Sequence, residues 1–99
     1  MNNKLFFEAW NKNIEKMELY TPVVERVHGK SHPEFYKVRS LFDKINEKTK
    51  KHSDDLELVS EFNELRELTN NYQIPNDVCE TYEAVYNILK ELDKAYFDK

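Results

Sequence analysis

Phe7, Trp10, Ile14, Met17, Tyr20, Val24 and Val27 recur at steps of three and four residues, and the same spacing returns three more times before residue 99. That period places apolar side chains along one stripe of a helix and is incompatible with the two-residue alternation of a half-buried strand. A single glycine and three prolines leave little material for long irregular loops. Each stripe must be covered by another, so the pattern predicts an all-α domain in which four helices pack on one another.

Punctuation divides the chain into segments near residues 3–28, 32–51, 54–72 and 76–98. In the first, Pro22 predicts a kink near Tyr20. Gly29 then stands where a left-handed residue commonly ends a helix. Ser31-His-Pro-Glu34 reads as a capping box with Pro33 in the first turn. The second helix carries Phe35, Val38, Phe42, Ile45, Thr49 and His52 on one face. Asp54-Asp-Leu-Glu57 starts the third in similar fashion, with Leu58, Phe62, Leu65 and Tyr72 inward and Leu68 beside them. After the turn NNYQIPND, the fourth helix presents Val78, Tyr82, Val85, Leu89, Leu92 and Tyr96. Short connections make sequential helices antiparallel neighbours, an up-down-up-down bundle occupying residues 1–99 as one domain.

The formal net charge is −4. A sequence-independent nucleic-acid binder needs a basic face, because neutralising phosphates drives such binding. The one local excess, Lys44, Lys48, Lys50 and Lys51, reads as a solvated helix face, so no nucleic-acid partner is expected. No apolar run approaches the ~20 residues of a membrane span, and the start MNNKLFFEAWNK lacks the apolar core of a secretory signal. The lone Cys79 cannot form an internal disulfide, which fits a reducing compartment. The chain therefore reads as cytoplasmic and not membrane-bound.

Two of the three histidines, His28 and His32, stand four residues apart. Gly29 and the capping box separate them, so this is not the i, i+4 spacing of one helix face. A histidine closing a helix can bond the last carbonyls and interact with the dipole, and His28 is read that way. His52 lies some twenty helical residues further on, roughly 30 Å away. The three do not form one metal site. No plausible Cys/His pair, phosphate loop or zinc spacing is visible, and Cys79 reads as a small buried packing residue. No catalytic residue, metal ligand or cofactor is assigned.

Two segments, VVERVHGKSHPEF and ELRELTNNYQIPNDVCETYEAVYNILKEL, resemble the hemerythrin-like domain of the iron–sulfur cluster repair di-iron proteins, the Repair of Iron Centres family. The shared features are the V-H-G-x-x-H-P-E turn, the L-R-x-L-T-N-N-Y run and the P-x-D-x-C-x-T-x-x-x-x-Y helix start, which together cover about half the chain. The resemblance implies a four-helix bundle housing two irons, held by histidines and bridging glutamates, that serves recovery from nitrosative or oxidative damage. Carried over position by position, the ligands are largely missing. The first-helix histidine falls at or near Phe7. The second-helix His-x-x-x-Glu falls on His52-Ser-Asp-Asp-Leu56, keeping the histidine and losing the glutamate. The third-helix histidine falls near Asp55, and the fourth-helix one at Lys99. The family's N-terminal cysteine-bearing domain has no counterpart here.

In an up-down-up-down bundle, residues 3–10, 49–58 and 92–99 share the pole where the irons would sit. Phe6, Phe7, Trp10, Tyr96 and Phe97 project from that pole. A buried ring covers about 150–250 Å², worth roughly 4–6 kcal/mol gross at about 25 cal/mol per Å². These rings are expected to plug the pole or, where exposed, to form an association surface for a second copy or a protein partner. The function expected is that of a degenerate, metal-free relative, a small interaction or regulatory protein. The alternative is an iron-binding stress-response protein that completes a reduced site from His52, Asp54, Asp55, Glu57 or Glu8, within one chain or across a dimer.

Overall fold

The computed structural model describes residues 3–51 and 56–98. They form four α-helices, α1 (Lys4–His28), α2 (Glu34–Lys51), α3 (Val59–Thr69) and α4 (Glu80–Phe97), with no strand among the described residues. α1 packs chiefly on α4 and also on α2, and α2 packs on α3. This all-helical arrangement is compatible with a four-helix bundle. Its long dimension, 39 Å, is the length of α1, since 25 residues at about 1.5 Å each span roughly 37 Å. Among the described residues no helix is long and apolar enough to cross a membrane.

The core follows the sequence stripes closely on α2 and α4. Phe35, Val38, Phe42, Ile45 and Thr49 are buried on α2, as are Tyr82, Val85, Leu89, Leu92 and Tyr96 on α4. His52 lies outside the described residues. On α1 the stripe is rotated from its expected phase. Its buried line runs through Phe6, Trp10, Asn13, Met17, Thr21 and Val24, while Phe7, Ile14 and Tyr20 are half-buried and Val27 is exposed. Asn13 tolerates this place because its amide donates to the Ala9 carbonyl at 2.9 Å and to Glu91 at 3.4 Å. α1 continues through Pro22, which lies inside the helix.

Three expected boundaries are corrected. Gly29 is not left-handed; its φ of −57° and ψ of −38° are right-handed helical values. Its lack of a side chain is needed for a different reason. A Cβ there would come within 2.5 Å of the Glu25 carbonyl oxygen and 2.7 Å of the Tyr36 hydroxyl. Ser31 does not cap α2, which begins at Glu34. The turn is instead tied by the His32 N–H donating to the His28 carbonyl and the Phe35 N–H to the His32 carbonyl, at 2.8 and 2.9 Å. Glu34 turns its carboxylate to the His32 ring, 3.3 Å away, rather than back to Ser31.

The third helix starts at Val59 rather than at residue 54. The physical reason is a clamp from α4. The Tyr96 hydroxyl accepts from the Leu58 N–H at 3.0 Å and donates to the Leu56 carbonyl at 3.3 Å, while Lys48 donates to the Glu57 carbonyl. These bonds engage the Leu56 and Glu57 carbonyls and the Leu58 N–H outside a helix, with Leu56 and Leu58 buried. The expected capping residues Asp54 and Asp55 lie outside the described residues.

The left-handed cap that Gly29 lacks occurs instead at the end of α3. Asn70, Asn71 and Tyr72 have φ of 52°, 61° and 64°. Asparagine tolerates this region, but a tyrosine there is strained and must be held by its surroundings. Thr69 does part of this. Its hydroxyl accepts from the Tyr72 N–H at 2.7 Å and donates to the Leu65 carbonyl at 2.6 Å. The Tyr72 hydroxyl completes the anchor by donating to Asp93 on α4 at 2.6 Å.

Candidate functional site

The five rings expected at one pole do come together. Phe6 lies 5.8 Å from Trp10 and 5.9 Å from Tyr96 between ring centres, and 5.7 Å from Phe7. Phe97 sits 5.0 Å from Tyr96. Phe42 and Phe62, which the sequence reading placed only in general stripes, join the cluster at 5.8 Å from Trp10 and 6.4 Å from Phe6. Phe6, Trp10 and Tyr96 are buried, and Phe7 is half-buried. Phe97 remains 38% exposed, with the Arg66 guanidinium carbon 4.6 Å above its ring.

Among the described residues this end shows no ligand set for a di-iron centre. Carboxylate-bridged irons need several inward histidine and glutamate ligands on facing helices. Among the described residues no three His, Cys, Asp or Glu side chains converge as a metal ion requires. The buried acid there, Glu61, is engaged by Lys48 at 2.6 Å. Burial pushes its carboxyl up, but the hydrogen bond from Lys48, its own backbone amide, the Lys48 charge and Ser60 outweigh burial and hold it below the ordinary range. Of the alternative ligand set, Glu8 and Glu57 are exposed, while His52, Asp54 and Asp55 lie outside the described residues. The lysine run is also absorbed locally: Lys48 pairs with Glu61, Lys50 with Glu18 and Lys51 with Glu47.

The opposite turns carry more chemistry than the sequence reading gave them. His28 Nε2 lies 3.2 Å from Cys79 Sγ, across 51 positions of sequence. Cys79 is exposed and occupies the residue just before α4, so it is neither a buried packing residue nor inside the first helical turn. The expectation that no Cys/His pair exists is therefore corrected. His28 engages this thiol with its ring; its carbonyl, not its ring, serves the helix end. Beside the pair, His32 is held between two carboxylates, Asp77 at 3.0 Å from Nε2 and Glu34 at 3.3 Å from Nδ1. Both imidazoles stand edge-on to Tyr82, at 5.4 and 5.5 Å.

Tyr82 is fully buried and donates to the Tyr86 hydroxyl at 2.9 Å. Burial, then this donated bond, then the charges of Tyr86, Glu34 and Asp77 push its phenol well above the usual tyrosine range. Tyr82 therefore stays neutral and forms an inert floor beneath the two histidines. The signal for this cluster was in the sequence: the V-H-G turn and the P-x-D-x-C turn fall at the same end of any bundle with these connections. What sequence spacing could not give was the 3.2 Å approach.

A second polar constellation joins α3 to α4. Arg66 donates to both oxygens of Asp93, at 2.8 and 2.5 Å, and Tyr72 donates to the same carboxylate. Asp93 is only 4% exposed, and these three bonds satisfy it. Its role is structural. Comparison with family models, with curated proteins and with solved structures finds no match.

Proposed function

We propose that this chain is a shortened, degenerate relative of the hemerythrin-like iron–sulfur repair proteins that works without a di-iron site, as a small interaction or regulatory protein. The observation that carries this reading is the filling of the pole by Phe6, Trp10, Phe42, Phe62 and Tyr96, side chains that pack on one another, with the Tyr96 hydroxyl taken up by the backbone of Leu56 and Leu58. The antiparallel up-down-up-down topology belongs to the same proposal. It is supported by Phe6, near the start of α1, meeting Tyr96 at the end of α4 and Phe62 near the start of α3. At the other end, His28 closes α1 and meets Tyr82 near the start of α4. Phe97 with Arg66 stacked on it is the exposed part of the aromatic pole, and there a second copy or a protein partner would dock.

The test is metal analysis of tag-free protein from iron-supplemented cells, with thermal unfolding in the presence and absence of chelator. The reading expects no stoichiometric iron and an unchanged midpoint, because a metal that binds only the folded state adds stability by mass action. Two irons per chain with an oxo-bridged absorption spectrum would overturn it. One metal per dimer, lost in His52→Ala, would favour the reduced-site alternative.

A further inference from the structure

The His28–Cys79 pair has the geometry of an activated nucleophile: a thiol and a proton-accepting nitrogen within hydrogen-bond reach, brought from two distant turns. The base is oriented, since its ring stands edge-on to buried Tyr82. The nucleophile is accessible, since Cys79 is exposed. Its loop is pinned, because Asp77, two residues earlier, is bonded to His32.

A cavity of about 300 Å³ adjoins this cluster, lined by Glu34, Thr69, Asn70, Gln73, Asn76 and Tyr86 among others. Glu34 is common to both, since it also bonds His32, and Asn76 immediately precedes Asp77. Tyr86, 1% exposed, lines this cavity and is bonded through its hydroxyl to Tyr82, so the cavity wall and the floor beneath the two histidines are continuous. Three amides, Asn70, Gln73 and Asn76, and the Glu34 carboxylate line the wall alongside Leu68, Ile74 and Pro75, a mixed lining that suits a small peptide-like molecule.

We propose that Cys79 and His28 form a nucleophilic dyad that exchanges with low-molecular-weight peptidic disulfides, the neighbouring cavity receiving the half that stays attached. His28 Nε2 takes the thiol proton as Cys79 Sγ attacks one sulfur of the disulfide. The S–S bond breaks, a mixed disulfide forms on Cys79, and the departing thiolate takes the proton from His28 and leaves as a thiol. The disulfide is the oxidant, and no other co-reactant is needed. The chain has one cysteine, so no internal thiol can resolve the adduct. Exchange with a reduced small thiol reverses it. The titratable groups adjoining the dyad are His32, Glu34 and Asp77, Tyr82 beneath, and Glu80 and Glu83 in the first turn of α4.

The experiment measures the rate of mixed-disulfide formation by mass spectrometry across the neutral pH range, with glutathione disulfide and with bis(2-hydroxyethyl) disulfide. The same chain unfolded in urea serves as reference, since its single thiol then lacks both His28 and the cavity. The folded chain should react roughly tenfold faster than the unfolded one, as expected of a positioned base. The advantage should be larger for glutathione disulfide and should vanish in His28→Gln. A folded rate equal to or below the unfolded rate overturns the dyad, and this comparison stands even where His28→Gln fails to fold. An undiminished rate in folded His28→Gln also overturns it. Equal acceleration of the two disulfides overturns the role of the cavity.

Discussion

Replacing Asp93 isolates the polar joint that holds the strained turn after α3. Asp93→Ala removes a carboxylate that accepts two bonds from Arg66 and one from Tyr72. The Arg66 side chain is 41% exposed and can return to water, so losing that pair costs only about 1 kcal/mol. The Tyr72 hydroxyl is in a residue 7% exposed, and leaving such a donor without an acceptor costs about 1–3 kcal/mol. The sum is about 2–4 kcal/mol, and relief of the buried charge's own desolvation places the outcome toward the lower end. Tyr72→Phe alone removes one bond to a charged acceptor and should cost about 1.5–3 kcal/mol. The decisive measurement is the double variant. With Asp93 gone, Tyr72→Phe removes an orphaned hydroxyl and should cost nothing or restore stability, a coupling of about 2 kcal/mol. Urea unfolding followed by helical circular dichroism gives these values if the slope is unchanged, and a loss of 2 kcal/mol should lower the thermal midpoint by roughly 10 °C. Additive costs in the double variant, or a loss below about 0.5 kcal/mol for Asp93→Ala, would refute the account of the joint.

Phe6→Ala and Trp10→Ala should each destabilise by about 3–5 kcal/mol as measured by urea unfolding, whereas Phe97→Ala, at a 38% exposed ring, should cost much less and instead weaken any self-association seen by sedimentation. Glu61 has a folded-state pKa below its unfolded value, so its contribution is present above the ordinary carboxylate range and lost as pH falls through the lowered value. Because Lys48 is partly exposed, that contribution is about 1 kcal/mol or less. The acid-induced loss of stability should accordingly be smaller in Glu61→Gln than in the parent, and an identical acid limb would count against it. Tyr72, Tyr82 and Tyr86 are pushed upward, first by burial and then, for Tyr72 and Tyr82, by donating to Asp93 and Tyr86 respectively. A raised value keeps the stabilising neutral form below the unfolded tyrosine range and loses that stability as pH climbs beyond about 10. Ultraviolet titration should therefore show part of the six tyrosines ionising only together with loss of helical signal; early, reversible ionisation of all six would contradict their burial.

By itself the sequence determined the number of helices, their order and most of the core. Period and punctuation are local: Phe35 to Thr49 and Tyr82 to Tyr96 must lie on one face of any helix they form. It also brought Phe6, Phe7, Trp10, Tyr96 and Phe97 to a common end, whereas the pairing of His28 with Cys79 was not read from it. Tertiary structure decided the rest. Whether Phe6 or Phe7 faces inward depends on the rotation of α1 against α4, which a stripe wide enough for Asn13 and Thr21 does not fix. The late start of α3 depends on a hydroxyl 38 positions away, that of Tyr96 against Leu58. The burial of Asp93 depends on Arg66 and Tyr72 arriving from the other side of a left-handed turn. Likewise, a thiol that reads from its neighbours as packing becomes the partner of an imidazole, because the axial offset between α1 and α4 sets that distance at 3.2 Å. Helical period constrains which residues share a face; it carries no information on the rotation and offset of one helix against the next, and those two quantities bring polar side chains from distant segments into contact.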